Sequence, residues 1–110
     1  MPRFVVQEHH ATSLHWDFRL EHDGVAASWA VPKGVSEEPG VRRLAVHVED
    51  HSIAHMSHRS ERVSIWDEGT YDLEKWEDGK IVFELRGKRL NGRYALIRTD
   101  GKNWLIQRTR

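Results

Sequence analysis

The strongest constraint on the fold of this chain is the alternation of large apolar and polar side chains over residues 14–20. Leu14, Trp16, Phe18 and Leu20 occupy every second position. Successive side chains of a β-strand point to opposite faces, so these four residues are predicted to form the buried face of one strand. Alternation of this kind, rather than helical spacing, dominates the rest of the sequence as well.

Short strands are predicted along the whole chain. The Asp23-Gly24 pair is a strong signal for a two-residue hairpin. Further strands are predicted at 3–7, 25–31, 43–51, 62–67, 69–73, 80–87, 93–99 and 103–109. Residues 51–61 are expected to form a loop or a single turn, and residues 36–40 a loop that can include one helical turn. Only residues 73–78 are predicted as a candidate short helix. The pattern is typical of an all-β barrel or sandwich with short helical turns.

The composition limits the classes of function. A chain of 110 residues has the size of one ordinary domain, so a single domain over residues 1–110 is expected. Its 17 basic and 17 acidic side chains cancel, so any phosphate site must be local. The absence of cysteine excludes disulfides, thiolate metal sites and a cysteine nucleophile. Without a signal peptide or a long apolar segment, a cytoplasmic protein with no membrane partner is expected.

A candidate metal site lies on the polar face of the strand around Phe18. His15, Asp17 and Arg19 alternate with its apolar residues. Cα atoms two residues apart on a strand are about 6.6 Å apart, so His15 and Asp17 can hold one ion. A third ligand can come from His9 or His10. Imidazole with carboxylate suits Mn²⁺, Fe²⁺ or Zn²⁺ better than Mg²⁺ or Ca²⁺, although a solvated sheet face explains the same pattern.

The strand at 43–51 has a polar face of its own. Arg43, Glu49 and His51 are predicted to lie opposite the apolar side chains of this strand, on one concave surface with Arg19. Arginine suits the multi-donor recognition of phosphate. Histidine titrates near neutral pH and can protonate a leaving oxygen. A metal-dependent phosphoesterase site and a polar binding face both fit these residues.

Two long motifs carry a family resemblance. The stretch "FVVQEHHATSLHWDFRLEHDGVAASWAVPKG" and the later "RRLAVHVEDH" closely resemble the 3′-phosphoesterase domain of bacterial DNA ligase D and its stand-alone archaeal and bacterial relatives. Similarity continues through "WDEGTY" and, more weakly, through "FELRGKRLNGRYALIR" and "NWLIQR". The resemblance implies a small β-barrel and an Mn²⁺-dependent enzyme, with Zn²⁺ or another divalent transition metal as the alternative. Such enzymes remove a 3′-terminal ribonucleoside and then the 3′-phosphate, which leaves a 3′-hydroxyl for repair and ligation.

The resemblance also implies roles for individual residues. Matched by motif position, the metal ligands are His9, His15 and Asp17, and Gln7 lies beside them as a substrate contact. The catalytic and phosphate-contacting residues implied in the same way are Arg19, Lys33, Arg43, Glu49 and His51. The four histidines without a counterpart in the family pattern are predicted to be surface residues: His10, His22, His47 and His58.

The sequence departs from the family pattern after His51. The family usually has a tyrosine four residues after this histidine, where this chain has His55, and His55 is expected to contact the phosphate in its place. A Gly-rich loop of the type I-P-x-G-x-Y-G-A-G is missing before "WDEGT". A more open site that grips the strand weakly beyond its terminal nucleotide is therefore expected. The balance of diesterase and monoesterase activity stays open, as does the choice between DNA and RNA.

Two other functions fit the same residues. One is hydrolysis of 2′,3′-cyclic phosphates on RNA ends, and the other is a non-catalytic module that binds nucleic-acid ends. Turnover of a 3′-phosphorylated strand would distinguish an enzyme from a binding module. Because no polymerase or ligase motif is attached, a separate DNA ligase or polymerase is the expected partner, alongside nucleic-acid 3′ ends.

Overall fold

Eight antiparallel strands and one 3₁₀ helix make up the protein in a computed structural model that describes residues 1–110. The strands are β1 (Arg3–His10), β2 (Leu14–His22), β3 (Val25–Val31), β4 (Arg43–His51), β5 (Val63–Glu77), β6 (Lys80–Gly87), β7 (Asn91–Asp100) and β8 (Asn103–Arg108), and the 3₁₀ helix spans Ile53–Ser57. They form a closed barrel in the order β1-β2-β3-β4-β8-β7-β6-β5. The all-β prediction is confirmed. No helix is long and apolar enough to span a membrane.

Aromatic side chains fill the interior of the barrel. Phe4, Phe18, Trp29 and Phe83 are at most 1% exposed, and the rings of Phe18 and Phe83 stack with centroids 5.8 Å apart. Burial of each large apolar side chain contributes about 1.5–3 kcal/mol. The result is a rigid wall, on whose outer surface the polar residues of β1 and β2 lie.

The hairpin between β2 and β3 determines which side chains face outward. Asp23 and Gly24 both have positive φ angles, 50° and 81°, as a tight type I′ turn requires. The turn aligns Phe18 with Trp29 and Asp17 with Ala30. Because the Phe18–Trp29 pair is fixed inside the barrel, Asp17 projects from the outer wall. The predicted hairpin is confirmed.

Strand β5 corrects the prediction for residues 62–78. It is one strand of 15 residues (Val63–Glu77) and includes most of the segment predicted to be a short helix, so that prediction is wrong. Pairing with β6 overrides the helical propensity of this segment. Position 69 of this strand requires glycine, because an added Cβ would clash with the carbonyl oxygen of Arg86 on β6. Residues 36–40 contain no helical turn either, whereas the turn expected within 51–61 is the 3₁₀ helix.

Two predicted faces also differ in the structure. Leu14, predicted to be buried, is 43% exposed because it begins β2 at the rim of the barrel. On β4, Ala45 is fully buried whereas Leu44 is 44% exposed. The ring of His47 stacks on buried Trp29 at 5.1 Å. The predicted apolar face of β4, which includes Leu44, therefore points outward. The opposite face, which includes Ala45 and His47, points into the barrel.

Candidate metal and phosphate site

Three predicted metal ligands meet on the outer wall of the barrel. The register of β1 and β2 sets His9 opposite His15. One ligand atom from each of His9, His15 and Asp17 lies within 4.8 Å of the other two. The Asp17 carboxylate oxygens lie 3.3 Å from His9 Nδ1 and 3.2 Å from His15 Nε2. Two imidazoles and a carboxylate are a donor set that suits a transition metal, so the residues fit such an ion.

The two candidates for the third ligand lie on opposite faces of β1. His10 projects to the other side of β1, where its Nε2 lies 2.9 Å from Glu8 Oε2. His9 instead lies beside His15, with the two ring centroids 4.7 Å apart. Adjacent residues on a strand point to opposite faces, so only one of the two can reach Asp17. That residue is His9.

Arg19 lies at the base of the site and is only 4% exposed. Its Nε donates to Gln7 Oε1 at 2.7 Å, and its Nη1 donates to Ser28 Oγ at 2.6 Å. Its Nη2 is 3.7 Å from a carboxylate oxygen of Asp17. Burial lowers the pKa of the Arg19 guanidinium, and the Asp17 carboxylate opposes that shift. An arginine remains protonated in proteins, so the site contains a fixed positive charge.

His51 reaches the same site because of an irregularity between β3 and β4. The register shifts so that Ala26 pairs with His51 while Ser28 pairs with Val48. Val48 and His51 therefore both line the outer pocket although they are three residues apart. His51 Nδ1 lies 3.1 Å from Arg19 Nη1. The same Nδ1 lies 3.1 Å from the backbone carbonyl oxygen of Glu49, so a donor and an acceptor both hold the ring in place.

Gln7 is fully buried and holds other parts of the site in place. Its Nε2 donates to the carbonyl oxygens of His55 at 2.9 Å and His58 at 3.3 Å, while its Oε1 accepts from Arg19. Both ends of the side-chain amide are thus engaged within the protein. Gln7 therefore positions Arg19 and the segment that carries His55 and His58, and its contact with substrate stays a prediction.

One pocket of about 550 Å³ is lined by the three predicted metal ligands and by Gln7, Arg19 and His51. Its lining residues are Gln7, His9, His15, Asp17, Arg19, Ala30, Val48, His51, His55, His58, Ser60, Arg62 and Val63. His55 lies between two other histidines, with ring centroids 4.5 Å from His51 and 5.2 Å from His58. His58 is exposed as predicted, but it also lines the site. His58 directly follows the 3₁₀ helix that carries His55, and its place in the site has no signal in the sequence.

The predicted single concave surface forms only in part. Lys33 and Arg43 lie in a neighbouring depression beside Trp16. Arg43 Nη1 donates to the carbonyl oxygens of Lys33 and the following residue, so that group is engaged within the protein. Glu49 is exposed and is not among the residues that line the pocket of His51. The direct catalytic roles of these three residues stay predictions.

The position of His55 gives a prediction about pH. Burial lowers the pKa of His55, and the positive charges of Arg19, His51 and His58 add to this effect. The folded state therefore binds fewer protons at this site than the unfolded state does, and the stability from His55 is lost as the pH falls from about 6.5 toward its folded pKa. NMR titration of the metal-free protein should show the His55 ring titrating below the ordinary histidine value of about 6.5. A His55 midpoint above about 6.5 would contradict the prediction.

The fold and the pocket together define a class: a small all-β domain with a His–His–Asp cluster beside a buried arginine on its outer wall. Within that class, the chain matches the family described as the DNA Ligase D 3′-phosphoesterase domain over residues 7–98. It therefore belongs to that family and is a phosphoesterase domain. The resemblance inferred from the sequence motifs is confirmed.

Curated relatives support the same assignment. The chain is 48% identical to the multifunctional non-homologous end joining protein LigD of Mycobacterium bovis and 44% identical to that of Mycolicibacterium smegmatis, with 96% of this chain aligned in each case. It is 45% identical to LigD of Pseudomonas aeruginosa over 89% of its length. The aligned region makes up 16% of the two mycobacterial proteins and 13% of the Pseudomonas protein.

Proposed function

We propose that this domain heals the 3′ ends of nucleic acids during repair by removing a 3′-phosphate or a 3′-terminal ribonucleoside. The product is a 3′-hydroxyl that a ligase can use. The observation that carries the proposal is the shared pocket of His9, His15 and Asp17 with Arg19 and His51. Family membership supports phosphoester hydrolysis as the reaction.

Mn²⁺ is the metal proposed for the site, with Zn²⁺ as the alternative. His9, His15 and Asp17 would hold it, since their ligand atoms already lie within 4.8 Å of one another. When bound, such an ion polarises a phosphoryl oxygen and lowers the pKa of a bound water. The ion pair of Asp17 with Arg19 holds the carboxylate toward both histidines.

Arg19 and His51 would bind the reacting phosphate. The Arg19 guanidinium is held by Gln7 and Ser28, so little reorganisation accompanies the build-up of charge on the phosphoryl oxygens. In its protonated imidazolium form, His51 would donate a proton to the leaving oxygen as a general acid and become neutral. His55 lies against His51 and would supply a further donor to the phosphate.

The remaining predicted residues would act at the edge of the site. Trp16 directly follows the metal ligand His15 and lines the depression that contains Lys33 and Arg43. These two cations would contact parts of the substrate away from the reacting phosphate. The names of the LigD relatives refer to non-homologous end joining, which favours DNA ends as substrate and a ligase as the enzyme that uses the product.

End-labelled duplexes test the proposal directly. One set carries a 3′-phosphate, a second a 3′-ribonucleotide and a third a 2′,3′-cyclic phosphate, each incubated with Mn²⁺, Zn²⁺, Mg²⁺ or chelator. The first two are expected to be converted to 3′-hydroxyl ends with Mn²⁺ and to persist with chelator. Conversion of the cyclic phosphate alone would reassign the substrate. Folded protein that converts none of the three with any metal would contradict the proposed function.

A further inference from the structure

Three residues that line the pocket have no role in the proposed reaction. They are His58, Ser60 and Arg62, which belong to the short segment between the 3₁₀ helix and β5. The only carboxylate among the lining residues is Asp17, at the metal end. The three residues thus bring a guanidinium, an imidazole and a hydroxyl to the pocket without an acidic side chain, and this combination suits an anion.

Arg62 is a free cation at the edge of this pocket. Its side chain is exposed and forms no ion pair or hydrogen bond within the protein. Its neighbour Arg59 differs, because it lines another depression and its Nη2 lies 3.9 Å from Glu68 Oε2. Two arginines of one short segment therefore have different surroundings, and only Arg62 faces the candidate active site.

Hydrogen bonds hold the segment that carries these groups. Ser60 N donates to Val63 O at 2.9 Å, and Val63 N donates back to Ser60 O at 3.3 Å. His10 N on β1 donates to Arg62 O at 2.7 Å. The carbonyl of His58 accepts from buried Gln7. Because the backbone is held at both ends, a ligand would bind with little loss of backbone freedom.

We propose that His58, Ser60 and Arg62 form a second phosphate subsite, which binds the internucleotide phosphate next to the 3′-terminal nucleotide. This inference rests on the proposed function, which places the reacting phosphate at Arg19. A pocket of about 550 Å³ is much larger than one phosphate needs. The next phosphate of a strand lies one nucleotide away, and His58, Ser60 and Arg62 are lining residues that the reacting phosphate would leave free to donate.

The subsite would make the enzyme prefer a polynucleotide end to a mononucleotide. It also opposes the expectation that the missing Gly-rich loop leaves the strand weakly held. The short segment that stands in place of the loop supplies its own cation, Arg62, on a hydrogen-bonded turn. Residues outside the family pattern would thus bind the nucleic-acid strand beyond its terminal nucleotide.

Two arginine variants test the subsite on two substrates, a 3′-phosphorylated mononucleoside and a 3′-phosphorylated oligonucleotide. Arg62→Ala is expected to lower kcat/KM for the oligonucleotide about tenfold relative to the mononucleoside, because a charge-assisted contact of about 1.4 kcal/mol is lost. Arg59→Ala removes the same charge from the same segment and should leave this ratio unchanged. Arg62→Lys should recover part of the preference.

Binding gives a readout that does not depend on turnover. The anisotropy of a labelled oligonucleotide is measured in chelator at several salt concentrations. Arg62→Ala should reduce the slope of log K against log salt by about 0.7, the value for one phosphate contact on a single strand. Equal effects of Arg59→Ala and Arg62→Ala, or equal losses on both substrates, would overturn the subsite. Wild-type binding with the expected slope change but no turnover would support the subsite and reject the proposed activity.

Discussion

Replacing Asp17 by Asn is expected to abolish metal binding and to reduce turnover of a 3′-phosphorylated end at least about a thousandfold. Asp17 contacts both histidines of the predicted metal site and also Arg19. The amide keeps the size of the side chain but removes the negative charge that a cation requires. A metal contributes several kcal/mol of charge stabilisation in phosphoryl transfer, and about 4 kcal/mol corresponds to a thousandfold in rate.

His10→Ala is the matched control for this experiment. His10 follows the ligand His9 but is exposed, and its ring interacts with Glu8 outside the pocket. This variant should retain both metal content and turnover. Mass spectrometry measures the metal content of each variant. Far-ultraviolet circular dichroism shows whether the variant is folded, so loss of the ion can be separated from loss of the fold. An Asp17→Asn protein that binds Mn²⁺ like the wild type would contradict the ligand assignment.

The outward direction of the site residues on β2 is predictable from the sequence, because large apolar residues of the same strand show which face points into the barrel. Phe18 and Leu20 are fully buried inside the barrel, so Asp17 and Arg19 must project outward. Strand β4 has no large buried side chain that shows which of its faces points inward. Leu44 is apolar but exposed, while the small Ala45 enters the core. Apolar character alone therefore selects the wrong face for this strand.

The remaining members of the site depend on features that no local pattern encodes. The shift in register between β3 and β4 brings His51 to the outer wall, and a register shift of this kind breaks strict alternation. Gln7 reaches His58 across a separation of 51 residues. A single sequence does not reveal that contact, so the burial of Gln7 and the position of His58 emerge only from the folded chain.

Replacing Arg19 by Lys is expected to lower both activity and stability, although the positive charge is kept. A single ammonium cannot reproduce the planar set of donors that reaches Gln7, Ser28 and His51. Each buried acceptor left without a donor costs about 1–3 kcal/mol, so the free energy of unfolding should fall by about 2–4 kcal/mol. Turnover should fall about a hundredfold, because a displaced cation no longer stabilises the charge that develops on the phosphoryl oxygens.

Ser28→Ala separates the structural from the catalytic effect of this change. It removes one partner of the Arg19 guanidinium and leaves the guanidinium itself in place. If Arg19 acts on the phosphate, Ser28→Ala should lower stability by about 1 kcal/mol yet cost far less activity than Arg19→Lys. Arg59→Lys makes the same chemical change at an exposed position, and its stability should stay within about 0.5 kcal/mol of the wild type. Urea unfolding measures the stabilities, and kcat on a 3′-phosphorylated end measures the activity. Equal rate losses in Ser28→Ala and Arg19→Lys would mean that Arg19 only holds the pocket together.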